Sequence, residues 1–408
     1  DLHLLSRRQR QMCIRDSYHT FDTGIKHGTI SVVCGGEVYE ITTYRIDGDY
    51  SDNRHPDSVS FTRNINEDLQ RRDFTVNAMA YNAEYGLVDP YGGKNDLKDK
   101  IIRCVGNPDT RFNEDALRIL RALRFASVYG FSIEENTSKS IFKNADLLKN
   151  IATERVISEF LKLICGKDAV KILDAYRETI AVIIPEITVM FNFNQNNIHH
   201  SYDLWQHTLT ALGTIEPNPM LRMTMLLHDI GKPSVKTTDN SGQSHFQGHQ
   251  LESKKIADRI LHRLRLPSDF INKTLLLIEY HDVRFNGSKK LMKKVMNVLG
   301  TDLTKQLLEV EYADISAQSE YQREEKLGYL KTAKTHLNEI IKDNECFKLS
   351  QLDINGKDVL NLGVKEGRDV GNILDYLLML VVDANVPNKK SILISKAKEY
   401  IYGNQINK

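Results

Sequence analysis

The pattern of apolar and polar positions changes near residue 91 of the chain. Before it, TISVVCGGEVYEITTYR contains two runs rich in β-branched and aromatic residues around Gly35-Gly36, which predicts a β-hairpin. After the segment DPYGG, apolar residues recur at helical spacing to the end of the chain. This helical pattern is interrupted near Pro185, Pro217 to Pro219, Pro267 and Gly300. The pattern predicts an α+β protein, in which a small mixed-sheet head precedes a long all-α body.

The second run of the hairpin carries an acid in mid-strand. Strand alternation places Val38, Glu40 and Thr42 on one face, with Tyr39 and Ile41 on the other. Two interpretations of Glu40 stay open from the residues alone. Its side chain either lies on a solvated face of the sheet or points into a cleft.

The segment RFNEDALRILRALRF, residues 111–125, predicts one amphipathic helix with an unusual amount of charge. The apolar side comprises Phe112, Ala116, Ile119, Leu120 and Leu123, and the charged side comprises Arg111, Glu114, Asp115, Arg118 and Arg121. Taken alone, the charged side is typical of a surface helix with ion pairs between successive turns.

Composition excludes some classes of protein but does not identify a partner. Of the 408 residues, 41% are hydrophobic and 27% charged, which excludes wholesale disorder. The 55 Lys and Arg nearly balance the 54 Asp and Glu, so a nucleic acid would have to be bound by local basic patches. Five scattered cysteines without a CxxC motif predict a cytoplasmic protein without disulfides. The longest apolar run near the C-terminus is too short to cross a membrane, so we expect no membrane association.

The first seventeen residues, DLHLLSRRQRQMCIRDS, have neither helical nor strand periodicity. The letters MCIRDS are what the end of a transposon-based sequencing adapter would encode. We therefore expect residues 1–17 to be a non-native leader, which should be excluded from reasoning about the fold.

Three long motifs occur in order at residues 38–61, 68–80 and 89–125, namely VYEITTYRIDGDYSDNRHPDSVSF, DLQRRDFTVNAMA and DPYGGKNDLKDKIIRCVGNPDTRFNEDALRILRALRF. In these motifs the chain resembles class II tRNA nucleotidyltransferases, which are the CCA-adding enzymes, and the related bacterial poly(A) polymerases. The resemblance extends from about Thr23 to about Gly166. Further matches are ERVISEFLKL at 154–163 and, weakly, residues 353–374. The resemblance implies addition of C and A from CTP and ATP to the 3′ end of tRNA, by two-metal chemistry with Mg²⁺.

The resemblance also implies roles for individual residues. Glu40 matches the third metal-binding carboxylate of the family. Arg72 is implied to hold the triphosphate and Asp73 the sugar, while Asn77 braces the pocket. Arginine suits phosphate oxygens and Asp suits ribose hydroxyls. The alternative for this segment is an ion-paired loop.

The charged side of the 111–125 segment is implied to read the base. Cytosine and adenine both present an exocyclic amino donor beside a ring-nitrogen acceptor, whereas uracil and guanine reverse this pattern. A carboxylate at Asp115 and a guanidinium at Arg118 would therefore accept C and A and reject U and G. Glu114 matches the family residue that orients the arginine.

Two of the family's metal-binding carboxylates, an Asp-x-Asp pair after a Gly-Gly-x-x-Arg-Asp turn, have no counterpart upstream of Thr23. Asp47 and Asp49 have the right spacing, but they follow Glu40 in a turn-like IDGDY and are interpreted as loop residues. We expect the chain to be N-terminally truncated and inactive in transfer as given.

A second constellation resembles the metal ligands of an HD phosphohydrolase domain. Its residues are His207, His228, Asp229, His249, His281 and Asp314. Imidazole and carboxylate ligands suit a divalent transition metal or Mg²⁺. The resemblance implies hydrolysis of phosphate monoesters or cyclic phosphodiesters, with Lys232 holding the phosphate. The alternative is a vestigial site in a tRNA-binding body.

The expected organisation is a head at 18–91, a helical neck at 92–166, an HD-type domain at 167–320 and a C-terminal helical region at 321–408. Paired lysines in SKKLMKKVMNVLG, residues 288–300, form a basic stripe that either follows tRNA phosphates or faces solvent. Alternatives to CCA addition are a poly(A) polymerase, an enzyme that adds only CC or only A, a metal-dependent phosphohydrolase, or a non-catalytic tRNA-binding remnant.

Overall fold

The structure is a computed structural model that describes residues 17–24, 28–48, 57–197, 199, 202–364 and 367–406. Most of the expected leader, residues 1–16, lies outside the described residues. The chain divides into two units, Asp1–Pro185 and Glu186–Lys408. The finer boundaries expected at residues 91, 166 and 320 stay predictions.

The first unit begins with the predicted hairpin. Strands β1 (His19–Gly24), β2 (Thr29–Cys34) and β3 (Glu37–Thr42) form an antiparallel sheet in that order. Cys34 lies opposite Glu37, and Gly35 and Gly36 between them have φ of +62° and +85°. Two consecutive positive φ angles are those of a tight hairpin turn, and glycine adopts them without steric cost. The hairpin prediction is confirmed.

The remaining strands are short and occur in pairs. The antiparallel pairs are β4 (Arg45–Asp47) with β5 (Val59–Phe61), β6 (Ala80–Asn82) with β7 (Gly86–Val88), and β10 (Thr237–Thr238) with β11 (Ser244–His245). Strands β8 (Ile101–Ile102) and β9 (Ser132–Ile133) form a parallel pair.

Helices make up most of the rest of the first unit. They are α1 (Ile65–Gln70), α2 (Gly93–Asp99), α3 (Pro108–Glu114), α4 (Leu117–Tyr129), α5 (Glu135–Asn144), α6 (Thr153–Ile164), α7 (Ala169–Ala175) and α8 (Arg177–Ala181). Short 3₁₀ turns occur at Thr75–Asn77 and Ala145–Asn150. The core packs around fully buried side chains of α3, α4 and α6, among them Phe112, Leu120 and Phe160.

The prediction of one helix over residues 111–125 is wrong. Helix α3 ends at Glu114 and α4 begins at Leu117, because Asp115 between them is extended, with φ −138° and ψ 100°. The predicted apolar side is nevertheless confirmed, since Phe112, Ala116, Ile119, Leu120 and Leu123 are all fully buried.

The second unit is almost entirely helical. Its helices are α9 (Leu204–Thr214), α10 (Pro219–Leu227), α11 (Lys232–Val235), α12 (His249–Arg263), α13 (Ser268–Tyr280), α14 (Lys289–Ser316), α15 (Arg323–Lys342), α16 (Gly356–Leu360), α17 (Arg368–Val382) and α18 (Lys390–Ile406). Two further 3₁₀ turns are Pro185–Met190 and Leu349–Gln351. Gly300, where the sequence predicts an interruption, kinks α14 with φ 72° and ψ 175°. Small sheets and long helices together confirm the α+β class.

Candidate functional site

The first unit contains an open, strongly charged cavity of about 520 Å³. Five residues predicted to bind the nucleotide line it, namely Arg72, Asp73, Asn77, Asp115 and Arg118. Five more were not predicted, namely Arg45, Asp47, Arg71, Arg121 and Phe125. Five guanidinium groups around one cavity form a site suited to a polyanion such as a triphosphate. We call these ten residues the nucleotide pocket.

Asp73 is held in a fixed orientation by three side-chain contacts. Its Oδ2 accepts from Nε and Nη2 of Arg121 at 2.8 and 2.6 Å, and its Oδ1 accepts from Nδ2 of Asn77 at 3.1 Å. Asp73 itself is 8% exposed. Asn77, which was expected to brace the pocket, therefore contacts Asp73, which was expected to bind the sugar.

Arg71 and Arg72 are anchored by Asp68, which is 3% exposed. Oδ1 of Asp68 accepts from Nη2 of Arg71 at 2.8 Å, and its Oδ2 accepts from Nη2 of Arg72 at 3.1 Å. Burial by itself raises the pKa of Asp68, but the two arginines and the Arg45 amide outweigh it, so the pKa lies below its ordinary value of 3.8. Asp68 is therefore ionised at neutral pH and fixes the direction of both guanidinium groups.

The break between α3 and α4 directs Asp115 at the pocket. Because Asp115 is extended, its Oδ1 can accept from the Leu117 amide at 3.1 Å and cap the start of α4. Its Oδ2 lies 3.5 Å from Nη2 of Arg155. The carboxylate is thus fixed at the entrance of a helix rather than on a helical turn.

Arg118 is 8% exposed, so the charged side of the segment is not a solvated surface. Its Nη1 donates to Glu114 Oε2 at 2.6 Å and to the Arg111 carbonyl at 3.1 Å, and its Nη2 donates to the Arg71 carbonyl at 2.9 Å. Glu114 does not line the pocket but holds the guanidinium that does. This contact agrees with the predicted role of Glu114 in orienting Arg118.

Helix α6, which carries the ERVISEFLKL motif, supports the pocket from behind. Arg155 on it faces Asp115, and Glu159 forms an ion pair with Arg124 of α4, Oε2 to Nε, at 2.6 Å. The guanidinium of Arg124 in turn lies 4.0 Å from the centre of the Phe125 ring, which lines the pocket. The motif therefore contributes partners for pocket residues and not pocket residues themselves.

Glu40 does not line the nucleotide pocket. It lies on β3, opposite Ser31 of β2, and is exposed like its neighbours Val38, Tyr39 and Ile41. Of the two interpretations of this acid, the described residues agree with the exposed strand face.

The interpretation of Asp47 as a loop residue is wrong. Asp47 ends strand β4, its side chain is 5% exposed, and it lies 2.9 Å from Arg45 and 3.6 Å from Arg71. It lines the nucleotide pocket. Asp49, the other member of the pair, lies outside the described residues. A turn-like sequence such as IDGDY did not reveal the strand, because β4 is only three residues long.

The second unit brings together all six residues of the predicted metal constellation. They come from α9 (His207), the end of α10 (His228 and Asp229), the start of α12 (His249), the end of α13 (His281) and α14 (Asp314). They form two groups that could each hold a metal ion, one of His207, His228, Asp229 and Asp314, the other of Asp229, His249 and His281. Within each group the ligand atoms lie within 4.8 Å of one another. We call these six residues the metal centre.

Asp229 connects the two groups through its two oxygens. Oδ2 lies 3.2 Å from Nε2 of His228 and 3.4 Å from Nε2 of His207. Oδ1 lies 3.3 Å from Nε2 of His249 and 3.5 Å from Nε2 of His281. One carboxylate positioned between two sets of imidazoles is an arrangement suited to a pair of ions.

The orientation of the histidines fits metal ligation. Nδ1 of His228, His249 and His281 donates to the backbone carbonyls of Met225, Phe246 and Ile278 at 2.7, 2.9 and 2.7 Å. With Nδ1 bonded to the backbone, Nε2 of each ring is the nitrogen that faces the centre. Nε2 of His228 and Oδ1 of Asp229 are buried without a hydrogen-bond partner among the described residues. Buried polar atoms in this state are satisfied by a cation, so the donor set fits a divalent metal.

The charged groups of the metal centre shift one another's pKa values. Burial by itself lowers the pKa of His228, but the carboxylates of Asp229 and Asp314 raise it to about 10. Burial raises the pKa of Asp229, and the opposing charges of His228 and Lys232 bring it well below its usual range. Lys232, expected to hold a phosphate, lies 2.6 Å from Asp229 Oδ2 and also donates to Gln195 Oε1 at 3.1 Å.

Gly231 lets helix α12 approach the metal centre. A Cβ at this position would lie 2.4 Å from the Ser253 amide nitrogen and 2.8 Å from the His249 carbonyl oxygen. These are backbone atoms of α12 and cannot rotate away. The glycine in LLHDIGKP therefore sets the distance between Asp229 and His249.

The lysines of the basic stripe at residues 288–300, which lies on α14, form ion pairs within the second unit. Lys289 and Lys293 lie 2.5 and 2.6 Å from the Glu345 carboxylate, and Lys290 and Lys294 each lie 3.1 Å from Asp383. All four lysines thus contact acids that follow α15 and α17. The arrangement favours a structural role for the stripe over contact with tRNA phosphates.

Within the described residues, no helix is long and apolar enough to cross a membrane. Among the described residues, Cys34, Cys104, Cys165 and Cys346 form no disulfide. Cys13 lies outside the described part of the chain.

Three models of protein families match the chain. The poly(A) polymerase head domain matches residues 5–103, a probable RNA- and SrmB-binding site of polymerase A matches 130–191, and a putative second domain of tRNA nucleotidyltransferases matches 249–397. The first match begins inside the segment expected to be a non-native leader.

Curated relatives agree with these models. The CCA-adding enzyme of Ligilactobacillus salivarius is 32% identical over 391 residues, which is 94% of this chain and 83% of that protein. The CCA-adding enzyme of Geobacillus thermodenitrificans is 42% identical over 219 residues, about half of each chain, at 52% and 54%.

Solved structures agree as well. The CCA-adding enzyme of Bacillus stearothermophilus in complex with CTP has a TM-score of 0.68 and 26% identity, over 96% of this chain and 86% of that one. The Thermotoga maritima CCA-adding enzyme complexed with tRNA shares the fold, with a TM-score of 0.54 and 20% identity over 97% and 84%. The chain belongs to the CCA-adding enzyme family of nucleotidyltransferases.

Proposed function

We propose that the chain takes part in adding C and A to the 3′ end of tRNA, using CTP and ATP, and that the nucleotide pocket selects the incoming base. The observation that carries the proposal is a buried, fully oriented guanidinium at Arg118 beside a helix-capping carboxylate at Asp115, both lining one cavity. The relationship to CCA-adding enzymes, one of them solved with CTP, supports it.

Selection of the base follows from hydrogen-bond complementarity. Asp115 accepts from an exocyclic amino group, and Arg118 donates to the adjacent ring nitrogen of C or A. Uracil and guanine present a carbonyl and a ring N–H at these places. Each mismatch leaves a buried polar group without a partner, which costs about 1–3 kcal/mol. Glu114 keeps the donor edge of Arg118 in one orientation.

The other pocket residues hold the rest of the nucleotide. Arg72 has a side chain that is 43% exposed and is fixed at one edge by Asp68, so its remaining donors can meet triphosphate oxygens. Asp73, fixed by Arg121, has lone pairs left for ribose hydroxyls. Ribose contacts are common to CTP and ATP, so they support binding without contributing to selection.

Transfer of the nucleotide is a separate proposal. The family's two-metal chemistry needs carboxylates that hold Mg²⁺ beside the 3′-hydroxyl and the α-phosphate. We propose that Glu40, which is exposed on β3, supplies only one of these carboxylates.

Equilibrium binding tests the proposed function without requiring transfer. With tRNA that ends before CCA, CTP should bind more tightly than ATP, and with tRNA that ends in CC, ATP should bind more tightly. A poly(A) polymerase would prefer ATP on both tRNAs, and an enzyme that adds only CC would show no preference for ATP on either. Equal binding of all four nucleotides to both tRNAs would contradict the proposal.

A second function is favoured by the metal centre. We propose that it binds two divalent metal ions, Mg²⁺ or a transition metal, and hydrolyses phosphate esters. A bound metal would polarise the phosphate and activate water. The histidines would hold it through Nε2, and Lys232 would carry a positive charge beside the phosphate. His228→Ala should abolish hydrolysis of p-nitrophenyl phosphate. Its metal content, measured by mass spectrometry, should fall from two ions to one or none.

A cytoplasmic location is proposed as well. The described cysteines form no disulfide, as is usual in a reducing compartment, and the tRNA substrate resides there.

A further inference from the structure

A cavity of about 720 Å³ opens beside the metal centre. Asp229, Lys232 and Asp314 line one part of it. Its volume is that of a site for a small organic molecule and is far larger than one phosphate group requires. The rest of the wall therefore contacts parts of a ligand that do not reach the metals.

Three basic side chains from three different segments line this remaining wall, together with the carboxyl groups of Asp282, Glu311 and Glu325. His199 lies in the loop before α9, Arg284 follows α13, and Lys326 lies on α15. Nδ1 of His199 is buried without a hydrogen-bond partner in the described part of the chain. Among the described residues, the ion pairs near these positions are formed by His281, Lys289, Arg323 and Lys390 and not by Arg284 or Lys326.

The basic groups are close enough to repel one another. Burial lowers the pKa of Lys326, and the positive charges of Arg284 and Lys232 lower it further, although Asp314 and Asp282 act in the opposite direction. Burial and the charges of Lys326 and Arg284 likewise lower the pKa of His199. The positive charges of Arg284 and Lys326, which repel one another, are stabilised by a bound anion.

One glutamine sets the separation between this cluster and the metal centre. Nζ of Lys326 donates to Gln318 Oε1 at 2.6 Å, and Gln318 Nε2 donates to Asp314 Oδ2 at 2.8 Å. Lys326 is therefore one side-chain amide away from a metal ligand. An anion bound at Lys326 would therefore be a second group, next to the phosphate bound at the metal centre.

We propose that His199, Arg284 and Lys326 form an anion subsite that binds a second, non-scissile phosphate of the substrate. The proposal rests on the proposed phosphohydrolase function and deepens it. It assigns the substrate class as phosphate monoesters that carry a second phosphate group. Lys326 and Arg284 would donate to the oxygens of that phosphate, and His199 would donate a ring N–H.

Sugar phosphates test the proposal, because they avoid the nucleotide pocket of the first unit. With the full chain loaded with Mn²⁺, KM for glucose 1,6-bisphosphate should be at least about tenfold below KM for glucose 6-phosphate, since charge-assisted hydrogen bonds contribute about 1.5–3 kcal/mol each. Isothermal titration of both ligands into metal-free protein provides a readout that does not depend on activity.

Lys326→Met should remove the preference for the bisphosphate in both measurements, and Arg284→Met should reduce it. Lys331→Met, an exposed lysine on the same helix, is the matched control and should retain it. Equal affinity of the wild-type protein for both ligands, or a preference that survives Lys326→Met, would overturn the proposal. Binding preference without hydrolysis by any divalent metal would support the subsite and contradict the proposed phosphohydrolase activity.

Discussion

Arg121 and Asp73, 48 residues apart in the chain, form a two-point contact in which Nε and Nη2 both donate to Oδ2 at 2.8 and 2.6 Å. The contact joins α4 to the last residue of the DLQRRD segment. Asp73 is expected to meet the ribose, and its orientation in the nucleotide pocket depends on Arg121. Arg121 has no expected role in recognising the base.

Arg121→Met should weaken the binding of every nucleotide to the same extent. Asp73 would lose its anchor, while Asp115 and Arg118 would keep theirs, so affinity should fall about tenfold for CTP and ATP alike, which is about 1.4 kcal/mol. Titration with fluorescent nucleotide analogues measures this. Lys171→Met, an exposed change in the same unit, should leave affinity unchanged. A loss confined to one base would show that Arg121 acts on the base instead.

Asp68→Asn should destabilise the first unit in a pH-dependent manner. Two guanidinium groups would lose a buried counter-ion, which costs about 3 kcal/mol at pH 7. Because the folded-state pKa of Asp68 lies below its ordinary value of 3.8, this stability is present above that pH and is lost as pH falls through the folded pKa.

Urea unfolding of wild type and Asp68→Asn between pH 7 and pH 3 tests this prediction. The difference in unfolding free energy should be constant down to about pH 4 and then shrink. Asp174→Asn, a change at an exposed carboxylate of the same unit, provides the comparison. A difference in unfolding free energy that grows as the pH falls would contradict the prediction that Asp68 is ionised in the folded protein.

Glu345→Gln should loosen the helices packed on α14. The carboxylate contacts Lys289 and Lys293 at 2.5 and 2.6 Å, and the Lys293 side chain is only 12% exposed. Since the glutamate is partly exposed, we expect a loss of about 1–2 kcal/mol that diminishes at high salt. Thermal unfolding at low and high NaCl measures it. Glu320→Gln, at a 94% exposed side chain, should have no effect at either salt concentration.

Gly231→Ala should reduce metal binding without unfolding the second unit. The new methyl group would meet the α12 backbone at 2.4 Å and displace His249 from Asp229. The group formed by Asp229, His249 and His281 should lose its ion first, which mass spectrometry and Mn²⁺ titration would detect. Gly328→Ala, where nothing lies within 4 Å of a new Cβ, should bind metal as wild type does. Full metal content in Gly231→Ala would refute this role of the glycine.

Local patterns predicted the features that depend on neighbouring residues. The Gly35-Gly36 turn and the buried side of α3 and α4 follow from short-range periodicity, and both are present. The six residues of the metal centre lie far apart in the chain, and their gathering was expected from their resemblance to the ligands of an HD phosphohydrolase domain.

Features that depend on tertiary contacts were not predictable in this way. Helical periodicity continues through Asp115, although its backbone is extended and its side chain accepts from the Leu117 amide. Nothing near Asp47 or Arg121 indicates which distant charge each will meet. The lysines of α14 have the pattern of a nucleic-acid contact, but all four form ion pairs with acids more than forty residues away.

The central claim is that Asp115 and Arg118 read the base, and the ratio of nucleotide affinities measures it most directly. The wild-type chain should bind CTP and ATP at least about tenfold more tightly than UTP and GTP, since each mismatched group costs about 1–3 kcal/mol. In Asp115→Asn and in Arg118→Met the ratio should approach one. In Asp146→Asn, an exposed change with an 80% exposed side chain, it should stay at the wild-type value. An undiminished ratio in both pocket variants would contradict the account.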